Sequence, residues 1–368
     1  MLGSSRSPLG AAMSTVSRRS VAKVLVRRVH ALGVVLVAIV LGLSATALAA
    51  DAPEPGSPDF KAKTEALARA HSAVVGVRST AVDEAASSDT LGRERRGSGV
   101  LIDADGLILT IGYLILEADH VDVVIEGERT VPARVVAYDL ATGFGLLQAL
   151  TPVRVAPVAL GRSAGLSGDE PLMVASGGAQ GELSLARMVS QRSFTGYWEY
   201  HIDGALFTVP PRTDHSGAGL FNLDGELLGI GSLVVMEAMG SGRGRMPGNM
   251  FVPIDLLKPI LAELRTRGSS RDSNRAWLGM NCVESDGGVQ VVRVTRDGPA
   301  DVAGVQPGDR ILRIDDAEVA GLEALYKQLW RAPPDREVTL VVRRGAQTQT
   351  LKPIATDRMK TLRKPQGI

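Results

Sequence analysis

The sequence predicts a mostly β protein with two folded regions. Between residues 72 and 252, short apolar and β-branched runs such as Leu107–Thr110 and Leu227–Ser232 alternate with Gly, Asp and Pro. Many short strands separated by turn residues at this spacing are typical of β-sandwiches and β-barrels. A polar stretch, 267–274, then precedes a region of about 80 residues, 275–356, which is large enough for an independent α+β domain.

Individual strands, turns and helices follow from local patterns. Predicted strands in the first region are Ser98–Ile102, Leu107–Thr110, Val121–Ile125, Ala133–Ala137, Gly145–Gln148, Leu172–Ala175 and Leu227–Ser232. Asp103–Gly106 and Asn222–Gly225 are predicted hairpin turns whose glycine supplies a positive φ. Helix-forming residues predict one helix at Phe60–Ala73, and leucine spacing predicts another at Ile254–Arg265.

The second region combines strands with one helix. Predicted strands are Met280–Glu284, Gly288–Val294, Arg310–Ile314 and Glu337–Arg343, and the predicted helix is Leu322–Trp330. Cys282 is the only cysteine of the chain, which excludes an intramolecular disulfide, and we interpret it as a small apolar strand residue. The basic tail, 357–368, is expected to be a solvated end.

Residues 1–50 have the composition of an export segment. Five basic residues between Arg18 and Arg28 precede an uncharged run, 31–50, that contains Ala47-Leu48-Ala49 near its end. Ser17–Lys23 also resembles a twin-arginine signal. The alternative is an uncleaved membrane anchor, because about 20 apolar residues span a bilayer. Either way, we expect the remaining chain to be exported to the periplasm or cell envelope, after a linker at 51–59.

Composition excludes several classes of function. Apolar residues make up 45% of the chain, charged residues 22%, and the formal net charge is +1, so nucleic acid is not an expected partner. The chain has no His-Glu-x-x-His motif and no cysteine pair, so we expect no metal. Met239–Gly248 lacks the Gly-Lys-Ser/Thr ending of a phosphate-binding loop, so we expect no nucleotide cofactor.

The order of export segment, short helix, β-rich domain, helix and small mixed domain resembles the HtrA/Deg family of trypsin-like serine proteases with one PDZ domain. Gly97–Asp103, followed by Gly106 and Leu109-Thr110, is similar to the hairpin that leads to the catalytic histidine of that family. The resemblance implies a trypsin-like double six-stranded β-barrel at 60–266, a linker at 267–274 and a PDZ domain at 275–356. It also implies a homo-trimer or a hetero-oligomer with active relatives.

Three positions depart from the family's catalytic pattern. The family has Thr-Asn-x-His-Val-Val where this chain has Thr110–Ile115, which aligns Tyr113 with the histidine. Gly143 aligns with the aspartate. In the loop that is Gly-Asn-Ser-Gly-Gly-Pro-Leu in the family, Ser216 aligns with the nucleophile and Asp214 with the glycine of the oxyanion hole.

These departures predict that proteolysis is lost. A serine hydroxyl needs a neighbouring base, and a tyrosine phenol with a pKa of about 10 is already protonated at neutral pH. Gly143 cannot orient a base, and the Asp214 carboxylate is expected to oppose an oxyanion. We therefore expect Ser216 to be inert and Tyr113 to fill the cleft. The alternative is an active serine endopeptidase that uses Ser216 with a non-standard base such as His215.

A short loop of the second region carries the predicted binding site. Trp277, Leu278, Gly279 and Met280 resemble the carboxylate-binding loop of PDZ domains, which holds a peptide end on successive backbone N–H groups while the next strand pairs with the peptide. The expected partners are polypeptide C-termini or unfolded protein segments. The alternative is that Trp277 and Leu278 pack this domain onto the barrels.

Overall fold

The computed structural model describes residues 57–363 except 126–128, 169, 180 and 286–287. Residues from Glu65 onward form one compact unit. The predicted export segment, 1–50, and most of the predicted linker, 51–59, lie outside the described residues. Within the part of the chain that is described, no helix is both long enough and apolar enough to cross a membrane.

Residues 74–149 form a closed barrel in which neighbouring strands run antiparallel and follow the order β1-β2-β3-β6-β5-β4. Its strands are β1 (Val74–Ala81), β2 (Glu94–Leu101), β3 (Leu107–Ile111), β4 (Ala118–Ile125), β5 (Arg129–Tyr138) and β6 (Phe144–Ala149). Alternate side chains such as Val100 and Phe144 fill the interior and are fully buried. The predicted turn at Asp103–Gly106 is confirmed, with Gly106 at φ 91°.

Residues 171–253 form a second closed barrel with the strand order β10-β11-β12-β9-β8-β7. Its strands are β7 (Pro171–Ala175), β8 (Leu183–Gly196), β9 (Tyr200–Val209), β10 (Gly219–Phe221), β11 (Leu227–Val235) and β12 (Gly248–Pro253). Leu172, Leu206 and Phe251 belong to its core. The long β8–β9 hairpin reverses direction at Tyr197–Glu199, which we call the hairpin tip.

The helices of the barrel region are short. They are α1 (Pro58–Ser72), α2 (Ser88–Leu91) and α3 (Leu261–Arg267). The prediction of one continuous helix at Ile254–Arg265 is wrong: a 3-10 turn at Ile254–Leu256 precedes α3. Pro259 lies between the two, and proline removes a backbone donor and disfavours helical geometry at the residue before it.

The small domain holds a six-stranded sheet and a three-stranded sheet. Its strands are β13 (Ala276–Trp277), β14 (Met280–Ser285), β15 (Gly288–Val294), β16 (Arg310–Ile314), β17 (Ala317–Glu318), β18 (Arg336–Glu337), β19 (Leu340–Arg344), β20 (Gln347–Leu351) and β21 (Ile354–Asp357). Its helices are α4 (Pro299–Val302) and α5 (Leu322–Leu329). Tyr326 and Leu325 on α5 are fully buried in its core, as is Cys282 on β14.

The predicted linker and the basic tail both make hydrogen bonds with the barrel region. In the predicted linker, 267–274, the hydroxyl of Ser273 donates to the buried carboxylate of Asp139 over 2.5 Å, and the hydroxyl of Ser270 donates to the same oxygen. In the basic tail, the backbone N–H of Arg363 donates to Glu117 over 2.8 Å. The side chains of Lys360 and Arg363 are nevertheless exposed, in agreement with the prediction of a solvated end.

Candidate active site and peptide-binding groove

Ser216 lies where the two barrels meet. Its carbonyl accepts a hydrogen bond from the backbone N–H of Ser98 on β2, over 2.8 Å. The next residue, Gly217, has φ 74°, and a β-carbon there would lie only 1.9 Å from the Ser98 carbonyl oxygen. The loop that carries Ser216 is thus pressed against the first barrel, and only glycine fits beside the serine.

Tyr113 is the side-chain partner of the Ser216 hydroxyl. The Tyr113 hydroxyl lies 2.8 Å from the Oγ of Ser216 and 2.8 Å from the carbonyl oxygen of Ser232. The guanidinium of Arg95 fixes the turn that carries Tyr113, because it donates to the Tyr113 carbonyl over 2.9 Å. The phenol therefore stands at a fixed place beside the serine.

The protonation state of Tyr113 decides what this contact can do. Burial raises the pKa of Tyr113 to about 12, although the hydrogen bond with Ser216 acts in the opposite direction. A carbonyl oxygen can only accept a hydrogen bond, so the Ser232 carbonyl also favours a protonated phenol. At neutral pH the phenol keeps its single proton and donates it to the Ser232 carbonyl. Its oxygen can accept a hydrogen bond from the Ser216 hydroxyl, but it is too weak a base to take the serine proton.

His215 is turned to a different partner. Its Nδ1 lies 3.1 Å from the carbonyl oxygen of Arg212. Because that oxygen only accepts, Nδ1 carries the proton. Burial also lowers the pKa of His215, so the imidazole is neutral at physiological pH. The described hydrogen bonds of the Ser216 hydroxyl involve Tyr113 and not this ring.

Asp214 is part of an ion pair. The carboxylate accepts from the Nε of Arg212 over 2.9 Å, and it is also bonded to the terminal nitrogen of that guanidinium and to the Ser176 hydroxyl. Burial opposes ionisation, but these hydrogen bonds outweigh it and lower the pKa of Asp214. The expectation that this carboxylate opposes an oxyanion needs correction, because Arg212 neutralises most of its charge.

Gly143 lies in a loop with no room for a carboxylate. Its φ of 79° is in the left-handed region, and its carbonyl accepts from the N–H of Gly112 over 2.7 Å. A β-carbon at this position would lie 2.8 Å from the hydroxyl of Tyr200. Sequence reasoning identified Gly143 but missed Tyr200, which comes from the second barrel.

Three of the four residues of the predicted binding loop, Trp277 to Met280, donate backbone N–H groups to one carboxylate of the second barrel. Glu199, in the hairpin tip, accepts from the backbone N–H of Leu278 over 3.1 Å, of Gly279 over 2.8 Å and of Met280 over 2.9 Å. Gly279 has φ 81°, which turns successive N–H groups towards one point. Sequence reasoning missed Glu199.

Comparison with known proteins agrees with this architecture. A trypsin-like peptidase domain matches residues 97–230, and a PDZ domain matches residues 276–353. The chain is HtrA/Deg-like: a trypsin-fold domain followed by one PDZ domain. DegP-like periplasmic serine endoproteases of Hahella chejuensis and Pseudomonas fulva are each 28% identical to it, over 68% and 71% of this chain. Those matches cover 54% and 56% of the relatives, so the chain spans about half the length of the curated relatives it matches.

Solved HtrA-type structures have the same fold. The protease AlgW with a bound tripeptide has a TM-score of 0.51 at 23% identity, over 82% of this chain and 98% of that chain. A serine endoprotease of Yersinia pestis has a TM-score of 0.50 at 21% identity, over 80% of this chain and 97% of that chain. At this level of identity the likeness shows the fold.

In this HtrA/Deg-like chain, the PDZ strand β14 is also paired with the hairpin tip. The N–H of Cys282 donates to the carbonyl of Tyr197 over 2.8 Å, two residues before Glu199. Trp198, between them, stacks on Tyr200 with ring centroids 5.6 Å apart. Of the two alternatives left open by the sequence, the structure shows the loop bonded to the barrel, through the carboxylate of Glu199. Capture of a peptide end by the same N–H groups stays a prediction.

Polar side chains join the hairpin to helix α5 of the PDZ domain. His201 and Asp203 on β9 lie near Glu323, and three such groups could hold a metal ion. However, the ammonium of Lys327 lies 2.6 Å from Glu323 and 3.7 Å from Asp203. Lys327 already supplies the positive charge that the carboxylates require, so we interpret this cluster as an ion-pair network.

Proposed function

We propose that this chain is an exported HtrA-like protein that has lost proteolysis and binds polypeptide C-termini through its PDZ domain. The contact between Tyr113 and Ser216 carries the proposal. The partner of Ser216 is a phenol whose pKa is raised to about 12. This partner is not a base that could take the serine proton at neutral pH. Losing a member of such a catalytic unit costs up to about 10⁶ in turnover in a studied serine protease.

Two further features support the loss of catalysis. Tyr200 fills the space at Gly143 in which an aspartate would stand. Asp214, which aligns with the glycine of the oxyanion hole, carries a carboxylate that is bonded to the Arg212 guanidinium and the Ser176 hydroxyl. This position therefore carries an ion-paired side chain where the family pattern has none.

The recognition half of the proposal rests on the PDZ loop. Three successive N–H groups hold a carboxylate, and the N–H of Cys282 on the adjacent strand donates to one backbone carbonyl of the hairpin tip. C-terminal peptide capture uses the same two kinds of donor. Unfolded segments with a free carboxyl end are partners of the same chemistry. The HtrA-type protease AlgW, which the fold resembles, has been solved with a bound tripeptide. We place the protein in the periplasm, like the relatives named above, and propose a homo-trimer or a hetero-oligomer with active relatives as its assembly.

A direct test measures the reactivity of Ser216. The purified chain is treated with a fluorescent fluorophosphonate and with unfolded casein, beside an active DegP-like protease as the positive control and Ser216→Ala as the matched negative control. We expect labelling and cleavage at the level of Ser216→Ala. Labelling and cleavage that Ser216→Ala abolishes would instead support the alternative of an active endopeptidase with a non-standard base.

A further inference from the structure

We infer that the hairpin tip, Tyr197–Glu199, is an internal ligand of the PDZ groove that an incoming polypeptide C-terminus has to displace. The inference rests on the proposed function, because it concerns the regulation of the same groove. It makes the chain a binder whose site is closed until a competing carboxylate replaces that of Glu199.

The hairpin tip occupies both recognition elements of the groove at once. Its carboxylate takes the N–H groups of Leu278, Gly279 and Met280, and its Tyr197 carbonyl takes the N–H of Cys282. A bound peptide end requires the same donors, and each N–H group can serve one strong acceptor at a time. The hairpin tip and a peptide end therefore exclude each other.

The conformation of the hairpin tip indicates that the contact is specific. Glu199 has φ 57°, a left-handed geometry that is uncommon for a residue with a β-carbon. A residue keeps such a strained geometry when several surrounding contacts hold it in place. Glu199 is 7% exposed although it is an acidic residue at the end of a hairpin, which is ordinarily a solvated position.

The hairpin is anchored well enough to return after displacement. β8 and β9 remain paired up to Gly196 and Tyr200, directly beside the hairpin tip. Only the three tip residues have to leave the groove, so the internal ligand stays at high effective concentration. A free peptide must consequently bind more weakly to the intact chain than to a variant whose hairpin tip cannot dock.

The test compares the full chain with Glu199→Ala, Glu199→Gln and the control Glu170→Ala, which alters an exposed glutamate of the same barrel. The probe is a fluorescein-labelled peptide that copies Arg192–Trp198 and ends in alanine with a free carboxylate. Its C-terminally amidated form is the second probe. Fluorescence anisotropy gives the affinities, and thermal unfolding checks that each variant is folded.

A second measurement does not depend on any peptide. Cys282 is the only thiol of the chain, it is buried, and it lines the cleft between the PDZ domain and the barrel. Because the thiol is packed in the PDZ core beside this cleft, its rate of reaction with Ellman's reagent reports opening at β14, and the thermal unfolding of each variant shows whether the core itself is destabilised. We expect at least tenfold faster reaction and at least tenfold tighter binding of the carboxylate peptide in Glu199→Ala, a smaller gain in Glu199→Gln, and no change in Glu170→Ala.

The outcomes separate the two proposals. Unchanged affinity together with an unchanged thiol reaction rate in Glu199→Ala would overturn the inference, while a preference for the carboxylate peptide over the amide would still support the proposed function. Equal affinity for the two peptides in Glu199→Ala would overturn the proposed function. A faster thiol reaction in that same variant would then still show that the hairpin tip closes the groove.

Discussion

The hydroxyl of Tyr200 lies 2.8 Å from the point where a β-carbon on Gly143 would stand. The same hydroxyl donates to the carbonyl of Thr142 over 2.9 Å, so its position is fixed. A phenol from the second barrel thus occupies the space that a side chain would need at Gly143, the position that we align with the family's aspartate. The departure at Gly143 is accommodated by the surrounding packing, and one substitution cannot reverse it.

Replacing Gly143 with aspartate is expected to destabilise the fold. The left-handed backbone costs about 1–2 kcal/mol for a residue with a β-carbon, and displacing Tyr200 adds about 1–3 kcal/mol. Gly242→Asp is the matched control, since Gly242 has φ 78° with nothing within 4 Å of its added β-carbon. Urea unfolding should show a larger decrease in the free energy of unfolding for Gly143→Asp than for Gly242→Asp. Equal losses would mean that Tyr200 moves aside freely.

Replacing Tyr113 with phenylalanine is expected to cost stability without altering peptide affinity. The change removes the hydroxyl that bridges Ser216 and the Ser232 carbonyl, and an unsatisfied buried acceptor costs about 1–3 kcal/mol. Tyr197→Phe is the control, because the Tyr197 side chain is 53% exposed. We expect its loss to stay below about 0.5 kcal/mol in the same unfolding assay. Similar losses for the two variants would contradict the bridging role of Tyr113.

Much of the fold could be predicted from sequence because apolar runs and turn glycines are local signals. Strands β8 and β9 were missed since β8 places polar residues such as Ser190, Gln191 and Arg192 in succession, which hides the alternation expected of a half-buried strand. That alternation is also broken by register shifts between Met188 and Ser190 and again between Arg192 and Phe194.

The candidate site was predictable only as far as motifs extend. Tyr113, Gly143 and Ser216 were found by their places in sequence patterns. Tyr200, the neighbour of Gly143, carries no such signal, because the pairing of distant strands brings it to the site. Arg212 is close to Asp214 in sequence, but no motif marked it as the partner of that carboxylate. Glu199 is the clearest case: an acidic residue in a turn is ordinarily a surface residue, and only the docked PDZ loop gives it a partner.

Removing the charge of Asp214 is expected to destabilise the protein without restoring activity. In Asp214→Asn the Arg212 guanidinium, whose side chain is 10% exposed, loses its nearer carboxylate partner and keeps only Glu182 at 3.7 Å, at a cost of about 2 kcal/mol. Glu337→Gln is the control, since Glu337 and Lys352 form an exposed pair that contributes at most about 1 kcal/mol. Chemical denaturation should show a larger decrease in the free energy of unfolding for Asp214→Asn than for Glu337→Gln. A gain of fluorophosphonate labelling in Asp214→Asn would show that this carboxylate alone suppresses Ser216.

Closure of the groove is expected to weaken as pH rises. Burial raises the pKa of docked Glu199 to about 7, against an ordinary value of 4.5, although the N–H groups and the Arg358 guanidinium favour the ionised form. The other titratable groups beside it, Cys282 and Tyr326, have pKa values raised by burial and stay neutral. Docking is thus strongest below pH 4.5, where free Glu199 is also protonated, and loses stability as pH rises towards 7.

The measurement is a ratio of association constants between pH 5 and pH 8. The association constant of the carboxylate peptide for the full chain is divided by its association constant for Glu199→Gln. Dividing by the variant cancels the titration of the peptide's own carboxylate, because both proteins bind it through the same N–H groups. The rise in the pKa of Glu199 from 4.5 to about 7 corresponds to on the order of 3 kcal/mol of docking free energy. The ratio should therefore rise at least tenfold between pH 5 and pH 8. A ratio that falls with pH would mean that Arg358 and the loop N–H groups stabilise the ionised form of Glu199 more strongly than burial opposes it.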